Sequence, residues 1–245
     1  MLTATTADAD TQAFRLLPEH PDNLYRLGRH QMLDTLVAEF AAIVDELEPI
    51  LDVDHTEVQD PFDQGKVGDC TMNAGYGCLV TAPLGKAGQT PVTQAVILSG
   101  YELETRLDDS QIPGHYPPND TGSTGAWSMT TLVKLGLISG WHHTRSLRTA
   151  LIMLNKGAIS IGVRWYQSMF TPDADGTIHV VESSGVAGGH QLCVVANDTK
   201  NRRIRLRNSW GTGWGDNGHC WLSWADFALL LKQGGDVVQP LALAA

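Results

Sequence analysis

Four residues of this chain carry the side chains that acyl transfer through a thioester requires. Gln64 stands six positions before Cys70, and His190 and Asn208 follow far downstream. A cysteine thiolate is the nucleophile, a histidine takes its proton and returns it, an asparagine orients that histidine, and a glutamine amide donates to the oxyanion. We therefore predict hydrolysis through a thioester acyl-enzyme, with Cys70, His190, Asn208 and Gln64 as the catalytic residues.

The segments around these residues resemble those of the papain-like cysteine peptidases. Residues 64–70, Gln-Gly-Lys-Val-Gly-Asp-Cys, are similar to the family's Gln-Gly-x-x-Gly-Ser-Cys nucleophile segment. Residues 208–218, Asn-Ser-Trp-Gly-Thr-Gly-Trp-Gly-Asp-Asn-Gly, resemble its Asn-Ser-Trp-Gly-x-x-Trp-Gly-x-x-Gly run. The resemblance extends from about Val58 to Phe227. Residues 70–74 are closer to short bacterial and phage members than to the plant and animal enzymes.

The resemblance implies an α+β, papain-like fold with two lobes. The nucleophile would begin a helix in a helical N-terminal lobe, and His190 would lie on the antiparallel β-sheet of a C-terminal lobe, with the active site between them. Trp210 would shield the hydrogen bond between Asn208 and His190 from water. Gly125 and Gly189 would bind the substrate backbone, and no metal or organic cofactor would be needed.

Asp69 departs from the family pattern, which has serine directly before the nucleophile. Gly68 and Asp69 form a good helix N-cap, and a helix N-terminus carries partial positive charge that stabilises a thiolate. The Asp69 carboxylate should help to cap the helix, but its negative charge beside the sulfur opposes the thiolate. We therefore expect the pKa of the Cys70 thiol to be less depressed than in papain.

Composition limits the partners of the chain. It has 245 residues, enough to bury a full core, and a net charge of -10, which repels nucleic acid and anionic membranes. It contains no apolar run long enough to span a membrane and no apolar signal region among its first thirty residues. We expect a monomer that acts on a peptide or protein substrate in the cytoplasm of a bacterium or of a phage-infected host.

Three cysteines remain beside the predicted nucleophile, an odd number for structural pairing. Val67 stands where secreted papain-like enzymes keep a disulfide cysteine. Both facts indicate a reducing compartment. Cys78, Cys193 and Cys220 are predicted to be small buried apolar residues, and their spacing does not fit a metal site.

Residues 1–50 are assigned to an N-terminal extension and residues 51–245 to the peptidase domain. Residues 1–30 are polar and aperiodic, so we expect them to be extended or poorly ordered. Apolar residues from Leu33 to Leu47 recur at helical spacing before Pro49, which predicts one amphipathic helix over about residues 33–48. Secreted relatives carry a longer helical propeptide that blocks the cleft, so inhibition is one alternative. We favour packing on the back of the domain, because the segment is short for such a propeptide.

The remaining periodicity predicts helices first and strands afterwards, which is an α+β order. Helices are expected after Cys70 and at residues 92–107, 127–135 and 147–154. Strands are expected at residues 159–163, 177–183, 191–196, 203–207, 220–224 and 237–238, with a short helix ending at Leu231. His142 and His143 are adjacent and are predicted to lie in a solvated turn.

The same residues could serve a different substrate or none. A peptidoglycan or isopeptide hydrolase would use the same chemistry, but cell-wall hydrolases commonly carry a separate, often basic, wall-binding module, for which this acidic chain has no room. A papain-like fold kept as a non-catalytic binding module would be expected to lose the nucleophile or its base, whereas all four positions are filled here. Peptide hydrolysis is therefore the favoured function.

Overall fold

The computed structural model describes residues 14–15, 17–32, 38–45, 47–109 and 112–244. Within these residues the helices are α1 (Cys70–Leu79), α2 (Gln94–Leu107), α3 (Gly125–Lys134), α4 (Leu147–Leu154) and α5 (Trp224–Lys232). The strands are β1 (Phe14–Arg15), β2 (Gln31–Met32), β3 (Val53–Asp54), β4 (Gly140–Thr144), β5 (Ile159–Tyr166), β6 (Val186–Asp198), β7 (Arg203–Arg207), β8 (His219–Ser223) and β9 (Asp236–Leu241). No helix in the described ranges is long and apolar enough to cross a membrane.

One antiparallel sheet forms the C-terminal part of the molecule. Its strands run in the order β4, β9, β5, β6, β7 and β8, and β3 pairs with β6 as a seventh member. The longest strand, β6, lies near the middle and is almost entirely buried. Helices gathered before an antiparallel sheet confirm the predicted α+β class.

Helices α1, α2 and α3 form the helical lobe, and α1 also packs against β6 of the sheet. Two glycines of α1 allow this close packing. A methyl group at Gly75 would lie 2.7 Å from Ser128 Oγ on α3, and one at Gly77 would lie 3.0 Å from Cys193 Cβ on β6. These contacts fix the start of α1 relative to the central strand.

Most predicted helices and strands are confirmed, and helices such as α2 and α4 begin at a side-chain cap. Thr93 begins α2 by accepting a hydrogen bond from Val96 N, and Ser146 begins α4 by accepting one from Thr149 N. The strand predicted over residues 177–183 is wrong. Thr177 makes only an isolated bridge within the described chain, and residues 182–184 form a 3-10 turn.

The solvated turn predicted at His142 and His143 is also wrong, because both residues lie in β4. Successive side chains of a strand point to opposite faces of the sheet, so adjacent histidines suit a strand as well as a turn. His143 is buried and His142 is half-buried.

The helix predicted over about residues 33–48 is not formed in the part of that range that the structure describes. Residues 38–40 form a single 3-10 turn, and Ala42 N then donates to His143 O of β4 at 2.8 Å. Phe40 stacks on Trp141 with ring centroids 4.0 Å apart. The apolar residues at 40, 42 and 44 fit a spacing of two as well as a helical one. β4 is an edge strand, so its outer backbone groups are available for pairing. Their hydrogen bonds favour an extended chain over a helix at residues 41–42.

All four cysteines are free and buried. This confirms the prediction for Cys78, Cys193 and Cys220. Cys78 Sγ and Cys193 Sγ lie 3.6 Å apart where α1 packs on β6.

The packing of residues 38–45 on the sheet edge predicts different outcomes for two apolar positions. Phe40→Ala removes the stack on Trp141 and should lower the free energy of unfolding by about 1–3 kcal/mol. Ile43 is 95% exposed, so Ile43→Ala should change it by less than about 0.5 kcal/mol. Urea unfolding of both variants measures this difference, and equal losses would contradict the extended packing.

Candidate active site

Cys70 is the first residue of α1 and points into the interior between the helical lobe and the sheet. Its side chain has no exposed surface. The preceding residues 64–69 form the loop that leads into the helix, and α1 packs against β6, the strand that carries His190. The fold therefore brings two of the four predicted catalytic residues to the same boundary.

Asn208 follows β7, the neighbour of β6, and holds the ring of His190. Asn208 Oδ1 lies 2.8 Å from His190 Nε2 and accepts a hydrogen bond from Ser209 N at 2.8 Å. Because the atom that accepts from a backbone N–H must be the amide oxygen, the ring donates to it and Nε2 carries the proton. His190 Nδ1 forms no hydrogen bond to a residue that the structure describes, so it is the nitrogen left to act as a base.

Aromatic rings cover the hydrogen bond between His190 and Asn208. The ring of Trp210 stacks on the imidazole with centroids 4.7 Å apart and planes 18° apart. Trp165 meets the same imidazole edge-on at 5.0 Å. These rings exclude water from the hydrogen bond. Trp210 therefore lies at the shielding position that the family resemblance implies for it.

Gln64 joins the nucleophile loop to the loop of Asn208. Its Oε1 accepts from Ser209 Oγ at 2.6 Å, and its Nε2 donates to Val67 O at 2.8 Å. The Gln64 backbone N–H donates to Ser209 O at 2.8 Å. A side-chain amide nitrogen has two N–H groups, so one remains for a further acceptor.

Residues 17–32, here called the cleft segment, run between the two lobes. Gly28 N and Arg29 N donate to Gly189 O of β6 at 3.2 and 3.0 Å. On the opposite side, Ser123 O accepts from His30 N at 2.7 Å and Ser123 N donates to Gly28 O at 3.0 Å. The segment is thus an extended chain bound by backbone hydrogen bonds on both sides. Of the two alternatives predicted for residues 1–30, extended or poorly ordered, residues 28–30 take the extended one.

The cleft segment covers the predicted catalytic residues. A methyl group at Gly28 would overlap the carbonyl oxygen of Gly68, two residues before Cys70. Tyr25 stacks on Trp210 with ring centroids 4.5 Å apart and planes 9° apart. The segment therefore passes from Trp210 to the nucleophile loop and leaves Cys70 and His190 without solvent contact.

Burial keeps both reacting groups neutral. It raises the pKa of the Cys70 thiol well above its ordinary value, and the nearby charge of Asp69 adds to the rise. Burial also lowers the pKa of His190 to about 4, against the opposing effect of the Asn208 hydrogen bond. An ion pair of thiolate and imidazolium is unfavourable while the cleft segment is in place.

Asp69 does not act as predicted. In the described structure its side chain makes no cap hydrogen bond to α1, and its Oδ2 instead accepts from Gln94 Nε2 at 2.9 Å. Burial, with a smaller effect from the charge of Asp120, raises the pKa of Asp69 to about 8. At neutral pH the group is therefore largely protonated and adds less negative charge beside the sulfur than the sequence suggests.

The two predicted substrate-binding glycines lie in different surroundings. Gly189 borders the cleft and accepts the two hydrogen bonds described above. Gly125 begins α3, and a methyl group there would lie 2.7 Å from Gln191 Nε2. The residue that pairs with the cleft segment on that side is Ser123, which the sequence alone does not single out because it lies in a polar loop without periodicity.

Comparison with known proteins agrees with this geometry. Residues 119–227 match the family model described as papain family cysteine protease. Xylellain, a cysteine protease from Xylella fastidiosa, has a solved structure with a TM-score of 0.64 at 16% identity, which covers 98% of this chain and 100% of that one. The chain is thus similar to the papain-like cysteine proteases in the sequence of residues 119–227 and in its fold. These matches support a cysteine-type hydrolase.

Two further solved structures of papain-like proteases share the fold. Digestive procathepsin L 3 from larval midgut of Tenebrio molitor has a TM-score of 0.58 at 14% identity, over 84% of this chain and 75% of that one. The ragweed pollen allergen Amb a 11, a cysteine protease in its proform, has a TM-score of 0.55 at 14% identity, over 80% and 67%. Among curated proteins, none matches.

The raised pKa of Asp69 predicts how the stability of the protein depends on pH. The folded state binds the Asp69 proton more tightly than the unfolded chain does, because its pKa is about 8 instead of 3.8. The resulting stability is present below about pH 4 and is lost as the pH rises towards 8. Asp69→Asn stays neutral, so its stability relative to the wild type should increase from pH 5 to pH 8, by up to about 1.4 kcal/mol per pH unit.

Urea unfolding of the wild type and the variant at four pH values measures this gain. Asp54→Asn is the control, because Asp54 is exposed on β3. If the Asp69 variant and the wild type lose stability in parallel, the carboxyl does not titrate in this range.

Proposed function

We propose that this chain hydrolyses peptide bonds through a thioester formed on Cys70. His190 takes the thiol proton, and the Cys70 sulfur attacks the carbonyl carbon. His190 then gives the proton to the departing amine, and a water that it activates releases the acid from the thioester. The observation that carries the proposal is the contact of Asn208 Oδ1 with both His190 Nε2 and Ser209 N, since it leaves Nδ1 of the ring as the base.

The tetrahedral oxyanion would receive two hydrogen bonds. The backbone N–H of Cys70 lies at the start of α1, where the first N–H groups of a helix have no partner within it. The free N–H of the Gln64 amide is the second donor. Its position is supported by Ser209 Oγ and Val67 O, which hold the amide plane. Loss of one such donor typically lowers the rate on the order of 100- to 1000-fold.

The cleft segment would keep the enzyme latent. A substrate needs the backbone groups of Ser123 and Gly189, and residues 28–30 already use them. If the segment left the cleft, water would enter. The Cys70 thiol and the His190 imidazole would then lose the burial that keeps them neutral. Displacement or cleavage of residues 17–32 would therefore activate the enzyme. An N-terminal segment packed on the back of the domain would instead have left the enzyme active without cleavage.

The nucleophile is tested by substitution of two cysteines on the same helix. Cys70→Ala should lower kcat/KM for a peptide amide by about four orders of magnitude or more and abolish labelling by a thiol-directed epoxide. Cys78→Ala should retain turnover and labelling, because Cys78 packs against Cys193 in the interior. Retained hydrolysis in the Cys70 variant would refute the proposal. Labelling without turnover of any peptide would favour another acyl substrate or a binding role.

Latency is tested at the close contact between Gly28 and Gly68. Gly28→Ala places a methyl group against the Gly68 carbonyl, so the segment should leave more readily and the epoxide should label Cys70 at least about tenfold faster. Gly140→Ala on β4 is the matched control, because its methyl group would lie 3.7 Å from Leu241 Cδ1, an ordinary contact. Equal labelling rates in both variants would show that the segment does not limit access.

A further inference from the structure

Arg29 of the cleft segment inserts its side chain into a closed acidic pocket beside the nucleophile. The guanidinium forms an ion pair with Asp236, and both side chains are buried, with 0% and 1% of their surface exposed. Arg29 Nη2 also donates to Gly234 O at 3.2 Å. A buried charge that loses its partner is strongly unfavourable, so this carboxylate requires a cation.

The pocket is built by three adjacent strands of the sheet and does not depend on the segment. Gly162 of β5 pairs with Gln191 of β6 on one side and with Asp236 of β9 on the other. A methyl group at Gly162 would lie within 2.6 Å of Arg29 Nε, Asp236 Oδ1 and Gln191 Oε1. The glycine therefore provides the space that the guanidinium fills, and the two flanking residues provide its polar walls.

The backbone of Arg29 is held as a bound peptide would be. Its own N–H donates to Gly189 O, and the groups on either side of it, Gly28 O and His30 N, pair with Ser123. An extended peptide that uses the same backbone groups would carry one side chain to the same pocket. Gln191, one wall of the pocket, directly follows His190 on β6, so the pocket lies next to the proposed base.

We propose that the pocket of Asp236, Gln191 and Gly162 selects an arginine side chain of the substrate, and that Arg29 occupies it in the latent enzyme as an internal substitute. The inference rests on the proposed peptidase function and adds its substrate class. Three acceptors line the pocket, namely the Asp236 carboxylate, Gly234 O and Gln191 Oε1. Arg29 uses its Nη2 for both Asp236 and Gly234 O, and the planar fork of a guanidinium carries further N–H groups that face Gln191 Oε1. An uncharged side chain would leave the buried Asp236 with His143 Nε2, 3.8 Å away, in place of the arginine.

The test uses the full-length chain carrying Arg29→Ala, which empties the pocket. Coumarin amides of short peptides are compared with arginine, lysine, citrulline or leucine at each of the three positions before the scissile bond. Citrulline has the shape of arginine without its charge. At one position kcat/KM for arginine should exceed that for citrulline by about 100-fold or more, with lysine between them. Adding Asp236→Asn, which keeps the volume of the side chain, should reduce the ratio of arginine to citrulline below about fivefold.

The outcomes separate this inference from the proposed function. Turnover with equal rates for arginine and citrulline at all three positions would overturn the inference and leave the peptidase function intact. The inference is also overturned if Asp236→Asn speeds epoxide labelling of Cys70 but leaves the ratio of kcat/KM for arginine to that for citrulline unchanged. Asp236 would then only hold the cleft segment in place. Absence of both turnover and labelling would overturn the proposed function and the inference together.

A second measurement tests the inference even if the Arg29→Ala variant folds poorly. Gly28→Ala in the full-length chain also loosens the segment, and the rates at which arginine-containing and citrulline-containing peptidyl epoxides label Cys70 can be compared in it. The same preference of about 100-fold is expected. Equal rates would overturn the assignment of the pocket.

Discussion

A buried arginine at the end of β7 joins the two lobes below the active site. Arg207 donates to Glu57 Oε2 at 2.6 Å and to the carbonyl oxygens of Gln59 and Asp60 at 2.7 and 2.5 Å. These acceptors belong to the stretch that leads to Gln64 and Cys70, whereas the next residue after the arginine is Asn208. The catalytic positions on opposite lobes are therefore connected through one guanidinium.

The charge of that arginine is balanced inside the protein. Burial alone would raise the pKa of Glu57, but hydrogen bonds from His219 and Arg207 reverse the effect and hold it below its ordinary value. Glu57 therefore stays ionised, and the network is a paired set of charges. Paired buried charges are weak contributors to stability but impose geometry, because removing one partner leaves the other uncompensated. This network fixes the position of Gln64 relative to Asn208.

Two opposing effects act on the nucleophile, and burial is the larger one. The N-terminus of a helix stabilises a negative charge by about 0.3–1 kcal/mol at an exposed site and by up to about 2 kcal/mol in a partly buried one. Full burial can shift a pKa by about 3–5 units, and each unit corresponds to about 1.4 kcal/mol. A helix start is thus a good position for Cys70 only when water can enter. Removal of the cleft segment would change this balance by admitting water to the sulfur.

The sequence singles out the four candidate catalytic residues because each stands among neighbours that form a local motif. The glycines of the loop before Cys70 and the run after Asn208 are local features, and helices α2, α3 and α4 begin at Thr or Ser caps. The cleft segment could not be predicted in this way, since Arg29 lies in a polar stretch whose partners, Ser123, Gly189 and Asp236, are distant in sequence. The failed helix near Phe40 has the same origin, because an edge strand a hundred residues away determines its conformation.

The path of the cleft segment also explains how a peptide can lie in a peptidase without being a substrate. Where the segment passes Gly68, the nearest carbonyl oxygen is that of Leu27, 2.8 Å from a methyl group placed at Gly68, and the next carbonyl oxygen, that of Gly28, accepts from Ser123 N on the helical side. The segment pairs with Ser123 in a parallel sense. A carbonyl that is attacked must instead direct its oxygen towards the Gln64 amide and the start of α1. The segment thus uses the side-chain pocket and the backbone groups proposed for a substrate, and its Gly28 oxygen is bound to Ser123 N instead of to the proposed oxyanion donors.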